Sequence, residues 1–135
     1  MAVVILAGGQ GTRLGSDRPK GEYNIGLPSR KSIFQILTER FMKAQMLAHE
    51  TQTPTEESQQ CKLLIMTSRI NHEQTQEFFI RNNYFGAKRE NIIFFEQAVL
   101  PAINAADGKI IMEDRHKIAM GPNGNGALFE ALNVN

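Results

Sequence analysis

The chain has 135 residues, 15 basic and 14 acidic side chains, a formal net charge of +1 and 41% hydrophobic residues. That length predicts one domain with a core of its own, and the near-neutral charge leaves no bulk attraction to nucleic acid or an anionic membrane, so any anion must be held locally. The single cysteine, Cys61, excludes an intrachain disulfide and a conventional zinc cluster, and no apolar run approaches the roughly 18 residues of a membrane span.

Residues 2–7 (AVVILA) are a continuous β-branched run, the pattern of a strand buried on both faces of a parallel sheet. No basic region precedes them, which argues against a signal peptide, and the strand begins so abruptly that an upstream part of the chain is expected. The run opens into a loop carrying Gly8, Gly9, Gly11 and Gly15, with Pro19-Lys20-Gly21 close behind. Residues 8–30 are long for a connection in a compact domain, and loops of that length are usually functional. Within them, 23–28 (YNIGLP) mixes apolar residues with breakers and is expected to pack down as irregular structure.

Ser32-x-x-Gln35 has the form of a capping box opening a helix. Ile33, Ile36, Leu37, Phe41, Ala44, Leu47 and Ala48 then recur at helical spacing, predicting about four to five turns with one buried stripe. Met42 and Met46 read as core packing. Residues 49–60 (HETQTPTEESQQ) carry no apolar side chain and include Pro54, so they read as a solvated, mobile loop.

Residues 62–67 (KLLIMT) predict a second strand, and Asn71 a cap for a helix reaching about residue 83 with Phe78 and Phe79 turned inward. A third strand is expected at 91–95 (NIIFF), while 100–106 fits no single element. Asp107-Gly108 is a hairpin signal ahead of 109–112, which is expected to pair with 117–120. Residues 122–126 (PNGNG) form a second tight loop before a helix beginning at Ala127. Strand, loop, helix, strand, helix, strand is an α/β sheet pattern. It stops at a helix barely begun, so the sheet is expected to be incomplete.

The chemistry concentrates in the first loop. A P-loop requires G-x-x-x-x-G-K-[ST], and Gly15 is not followed by Lys-Ser/Thr. The dinucleotide fingerprint G-x-G-x-x-G fails by one position, since Leu14 stands at its sixth place. What remains is a glycine loop with Arg13 inside it and Lys20 just after, either a phosphate site or a tight turn with solvated charges. Arg13 offers a bidentate contact to phosphate oxygens, and Lys20 a compact point charge. The PNGNG loop repeats the logic, because a turn opening a helix aims N–H groups outward, although such a turn is often only a turn. Gln97, just past the third strand, is uninformative by itself. His49, His72 and His116 are scattered and read as surface residues. Asp17, Asp107, Glu113 and Asp114 give no pair that fits around a metal, and Cys61 reads as a small buried residue.

Taken together, the motifs carry a resemblance. Leu6-Ala7-Gly8-Gly9-Gln10-Gly11-Thr12-Arg13-Leu14-Gly15, Pro19-Lys20-Gly21, Tyr23-Asn24-Ile25-Gly26-Leu27-Pro28-Ser29 and Lys31-Ser32 resemble the eukaryotic-type UDP-N-acetylglucosamine pyrophosphorylases. Ile65-Met66-Thr67-Ser68, Tyr84-Phe85-Gly86, Asn91-Ile92-Ile93-Phe94-Phe95, Asp107-Gly108-Lys109 and Pro122-Asn123-Gly124-Asn125-Gly126 continue it in order, leaving out only 49–60. Gln10, Arg13, Tyr23-Asn24-Ile25 and Asn125 favour this family over the UDP-glucose pyrophosphorylases, whose loop reads more like GGLGT.

The resemblance implies a Rossmann-like mixed sheet of the nucleotide-diphospho-sugar transferase (GT-A-like) kind, of which residues 1–135 would be an incomplete nucleotide-binding half. It implies a cytoplasmic uridylyltransferase joining UTP and N-acetylglucosamine 1-phosphate into UDP-N-acetylglucosamine and pyrophosphate with Mg2+. By position, Leu6, Ala7, Gly8 and Gly9 would line the uridine, and Arg13 and Lys20 would act catalytically on the triphosphate. Gln97 and Gly124 would contact the uridine, and Asn125 the sugar. The family's metal-binding aspartate, its Asn-Glu pair for the sugar and its further lysines lie beyond the stretch matched here. Its N-terminal helical region is likewise missing, and Glu96 replaces a more usual glutamine. The alternatives are therefore an inactive nucleotide-binding fragment or an enzyme of broader UDP-sugar range. The sequence sets no oligomeric state.

Overall fold

The computed structural model describes residues 2–51 and 61–134. They divide into two compact units, Met1–Glu96 and Gln97–Asn135.

The first unit is built on β1 (Ala2–Leu6), α1 (Ile33–Thr51), β2 (Lys62–Thr67), α2 (His72–Arg81) and β3 (Ile92–Glu96). The strands lie parallel in the order β1-β2-β3, with Ile5 beside Ile65 and Ile65 beside Phe94. Parallel neighbours need a crossover between them, and the two helices supply it. Side chains alternate across a strand, so Val3, Ile5, Leu63, Ile65, Ile92 and Phe94 share one face. On that face Phe34 and Phe41 of α1 and Phe79 of α2 join Ile5, Ala7, Leu63, Ile65 and Ile92 in one core. Phe79 is its hub, with ring centroids 5.2 Å from Phe34, 5.1 Å from Phe85 and 5.2 Å from Phe94.

Several expectations change. Among the described residues β1 pairs with β2 alone, so it is an edge strand, with Ile5 buried and Leu6 exposed, rather than one covered on both faces. The buried stripe of α1 runs Phe34, Thr38, Phe41; Leu47 and Met46 are exposed. Thr38 fits there because its hydroxyl donates to the Phe34 carbonyl at 2.8 Å, leaving no unpaired polar group in the core. Half of the capping box forms: Ser32 Oγ accepts from Gln35 N–H at 3.2 Å, but the Gln35 side chain donates forward to Glu39 Oε1 at 3.0 Å. α1 runs to Thr51, three residues into the expected loop, and the rest of that loop lies outside the described residues. Residues 23–28 are irregular but do not pack down, since Tyr23, Ile25 and Leu27 are all exposed. Asn24 organises them instead, its Nδ2 donating to the Arg30 carbonyl at 2.8 Å and its Oδ1 accepting from Gly26 N–H at 2.9 Å.

The second unit has β4 (Val99–Pro101), β5 (Met112–Asp114), β6 (Lys117–Ile118), β7 (Met120–Pro122) and α3 (Ala127–Val134). β4 pairs antiparallel with β7, and β5 with β6 across an irregular register. The unassigned 100–106 thus contains a strand end. The turn at Asp107-Gly108 forms, closed by Gly108 N–H to the Asn104 carbonyl at 2.8 Å, but only an Ile103–Ile110 bridge flanks it. The expected pairing of 109–112 with 117–120 forms in part, with Met112 opposite Ile118 and Ala119 N–H donating to the Ile111 carbonyl at 2.9 Å, and extends to Asp114 opposite Lys117. No helix among the described residues is long and apolar enough to cross a membrane.

Candidate functional site

In the first unit the chain leaves β1 with Ala7 N–H donating to the Met66 carbonyl at 2.6 Å, which carries the parallel ladder one step past the strand. Residues Thr12–Leu14 make one 3-10 turn, ended by Gly15 at φ 70°. The chain then folds back on itself: Gly11 N–H donates to the Arg18 carbonyl at 2.9 Å, and Lys20 N–H to the Gly9 carbonyl at 3.1 Å. Gly11 is required by this return, because a Cβ there would fall 2.9 Å from Arg18 O. Lys20 begins a second 3-10 turn, Lys20–Glu22, and so sits beside Gly9 although eleven positions separate the two.

A cavity of about 350 Å³ opens here, lined by Ile5, Leu6, Ala7, Gly9, Lys20, Gly21, Ile33, Phe34 and Leu37. It lies at the carboxyl end of β1, where open α/β sheets place ligands. Its lining side chains are apolar apart from Lys20, which is itself exposed. Four of the nucleotide-binding residues expected from sequence, Leu6, Ala7, Gly9 and Lys20, therefore meet in one place. Leu6 is exposed, Ala7 buried, and Gly8, between Ala7 and Gly9, is half-buried and outside the lining. Arg13 is exposed on the first 3-10 turn and also stands outside the lining. Among the described residues neither Arg13 nor Lys20 has an ion-pair partner.

The remaining sequence candidates belong to the second unit. Gln97 is buried two residues before Val99, and Gly124, at φ 72°, stands two residues after Pro122, to which Val99 pairs. The antiparallel ladder thus brings Gln97, Gly124 and Asn125 to one end of β4 and β7, tied by Asn123 N–H to the Ala98 carbonyl at 3.1 Å. Asn125 is exposed, and Asn123 Nδ2 donates to Glu130 Oε2 at 3.1 Å.

His72 differs from the surface reading. It is half-buried, with Nδ1 2.6 Å from Thr67 Oγ1 and Nε2 2.6 Å from Gln76 Nε2. Thr67 Oγ1 also donates to the Phe95 carbonyl at 3.1 Å. Glu96 Oε1 lies 4.0 Å from the same Nδ1. No sequence spacing marks this cluster, because its members come from two strands and a helix. Among the described residues there is no group of three or more His, Cys, Asp or Glu side chains that could hold a metal ion.

A parallel sheet whose first strand ends in a glycine loop, with a lysine folded back beside a small cavity, is an α/β arrangement of the nucleotidyltransferase fold. The chain belongs to the UTP--glucose-1-phosphate uridylyltransferase family, whose model matches residues 1–135. It is 47% identical over 136 residues to a probable UDP-N-acetylglucosamine pyrophosphorylase of Dictyostelium discoideum, covering 99% of this chain and 28% of that protein. It superposes on the crystal structure of the uridine diphosphate N-acetylglucosamine pyrophosphorylase from Trypanosoma brucei in complex with inhibitor with a TM-score of 0.86 at 45% identity, covering 97% of this chain and 25% of that one. An H191L mutant of UDP-glucose pyrophosphorylase from Leishmania major, at 19% identity and a TM-score of 0.61, shares the fold alone. The similarity within the family is thus to the N-acetylglucosamine enzymes, and the chain spans about a quarter of their length.

Proposed function

We propose that this chain is the UTP-binding part of a cytoplasmic uridylyltransferase that joins UTP and N-acetylglucosamine 1-phosphate into UDP-N-acetylglucosamine and pyrophosphate. The observation that carries the proposal is the cavity that Leu6, Ala7, Gly9 and Lys20 line together at the carboxyl end of β1. The 47% identity to a probable UDP-N-acetylglucosamine pyrophosphorylase supports the choice of substrates.

In this reading the apolar wall and the loop backbone take the uridine, and Lys20 neutralises the triphosphate. A phosphate oxygen of the sugar phosphate attacks the α-phosphorus of UTP, the bond to the β-phosphate oxygen breaks, and pyrophosphate leaves with its electron pair. Little covalent chemistry falls to the protein, so fixed cations placed where charge accumulates do most of the catalysis. Lys20 fills that role from the cavity and Arg13 from the adjoining exposed turn. Gln97 and Gly124 are proposed for the uridine and Asn125 for the sugar. The magnesium implied by the resemblance, when bound, would supply further neutralisation of the charge on the phosphates.

A second reading is a nucleotide-binding module without turnover, since the chain spans about a quarter of the length of the enzymes it matches. One titration series tests both. Calorimetry of the 135-residue chain should show UTP binding that Lys20→Ala weakens, and absence of UTP binding sinks both readings. Pyrophosphate released from UTP and N-acetylglucosamine 1-phosphate above the Lys20→Ala background establishes turnover; binding without release leaves the module.

A further inference from the structure

Asn71 immediately precedes α2, at a position where an asparagine ordinarily accepts a hydrogen bond from an N–H two or three residues ahead. Its side chain makes no such cap. Instead Oδ1 accepts from Ser68 N–H at 2.9 Å, and Nδ2 donates across the sheet end to the carbonyls of Ala7 at 2.9 Å and Gly9 at 3.4 Å. The residue is fully buried. A carboxamide supplies one acceptor and two donors in a fixed plane, and all three are used here on backbone.

This has a consequence for the glycine loop. In a trans peptide the carbonyl of one residue and the N–H of the next point to opposite sides. With the Ala7 and Gly9 carbonyls drawn toward Asn71, the N–H groups of Gly8 and Gln10 are turned away from it. The Gly9 carbonyl also accepts from Lys20 N–H, so one acceptor joins Asn71 to the backbone of the cavity lysine. A single buried side chain thereby sets two backbone donors and the origin of one cation.

We propose that Asn71 is a positioning residue for the nucleotide loop, holding the Ala7–Gly8 and Gly9–Gln10 peptide planes in the orientation that receives a uridine nucleotide. The proposal rests on the nucleotide-site reading above. Helix capping alone does not explain the residue, because its side chain leaves the helix end for carbonyls more than sixty positions away. An aspartate of the same shape could still accept from Ser68 N–H and is an equally good cap, but it would face two carbonyls with nothing to donate.

The test uses Asn71→Asp and Asn71→Ser in the 135-residue chain. Uridine and UTP serve as probes, uridine because it is uncharged and so indifferent to the new carboxylate. Backbone amide exchange is followed in the ligand-free protein. Both variants should bind uridine and UTP roughly tenfold or more weakly, the effect of losing one to two hydrogen bonds. Exchange should accelerate at Gly8 to Gly11 while the amides of Thr75 and Phe79 in α2 keep the wild-type rate. Unchanged affinity in both variants overturns the proposal. So does acceleration of α2 in step with the loop, or failure of both variants to fold, because Asn71 would then support the unit as a whole. Failure of the wild-type chain to bind uridine or UTP removes the nucleotide-site reading, and this inference with it.

Discussion

The Phe34 ring packs so closely on the backbone of Gly21 that a Cβ at position 21 would overlap the Cζ, Cε1 and Cε2 atoms. Phe34 is anchored in the core from the first turn of α1, and Gly21 follows the cavity lysine in its 3-10 turn. The height of Lys20 over the cavity is therefore set by core packing. Gly21→Ala should cost about 1–3 kcal/mol, the usual range for overpacking, since neither a core aromatic nor a backbone can give way cheaply. It should also weaken UTP binding by moving Lys20. A urea midpoint and a UTP titration that both match the wild type would show that the contact is slack.

Lys20 and Arg13 are separable by experiment because only Lys20 lines the cavity. Lys20→Ala removes a charged contact worth about 1.5–3 kcal/mol, so UTP affinity should fall roughly tenfold or more. Uridine affinity should hardly change. Arg13→Ala should affect UTP binding less, because both cations are exposed but Arg13 stands outside the cavity lining. Equal losses for the two substitutions would place Arg13 on the phosphates already in the binary complex.

Phe79 joins both helices to the sheet through edge and tilted contacts to Phe34, Phe85 and Phe94. Phe79→Leu keeps an apolar side chain but removes the ring geometry, worth about 0.5–1.5 kcal/mol per pair beyond its buried area. A loss of roughly 1–3 kcal/mol is expected in denaturant unfolding. Because Phe34 is one of the three partners, UTP binding should weaken at temperatures where the variant is still folded. An unshifted unfolding midpoint would mean that the other rings repack without it.

Much of the fold, and four of the nine residues that line the cavity, are legible in the sequence. Residues 62–67 and 92–96 are short apolar runs between breakers, and the glycine loop marks the carboxyl end of β1 by composition alone. The stripe of α1 was harder, because Ile33, Phe34 and Leu37 are all apolar and only packing selects Phe34, while the hydroxyl of Thr38 hides a core position behind a polar name. The edge position of β1 depends on strand order, which its own residues do not encode. Tyr23, Ile25 and Leu27 are apolar yet exposed, held out by the hydrogen bonds of Asn24. Asn71 looked like a helix cap because local rules see only local partners; its actual acceptors lie in another strand's loop. In the second unit the strands are two or three residues long, too short for alternation to fix register.

The clearest pH dependence is expected at the start of α1. Lys31 Nζ lies 2.6 Å from Glu39 Oε2, and Gln35 Nε2 donates to Oε1 of the same carboxylate at 3.0 Å. The hydrogen bond from Lys31 holds the Glu39 carboxyl below its usual range, partial desolvation opposes it, and Gln35 and the Lys31 charge add to the lowering. A carboxyl whose folded value is depressed stabilises the fold at pH above its unfolded value of about 4.3, and that contribution fades as pH falls through the folded value. Both side chains are about one-third exposed, so solvent screening keeps the pair to roughly 0.2–1 kcal/mol. Lys31→Met should therefore lower stability by that amount at neutral pH, with the gap to wild type closing in acid as Glu39 takes up its proton. Urea unfolding of both proteins near neutrality and again at about pH 2.5 measures it, and a gap of the same size at both values would show that Lys31 acts through its alkyl packing rather than its charge.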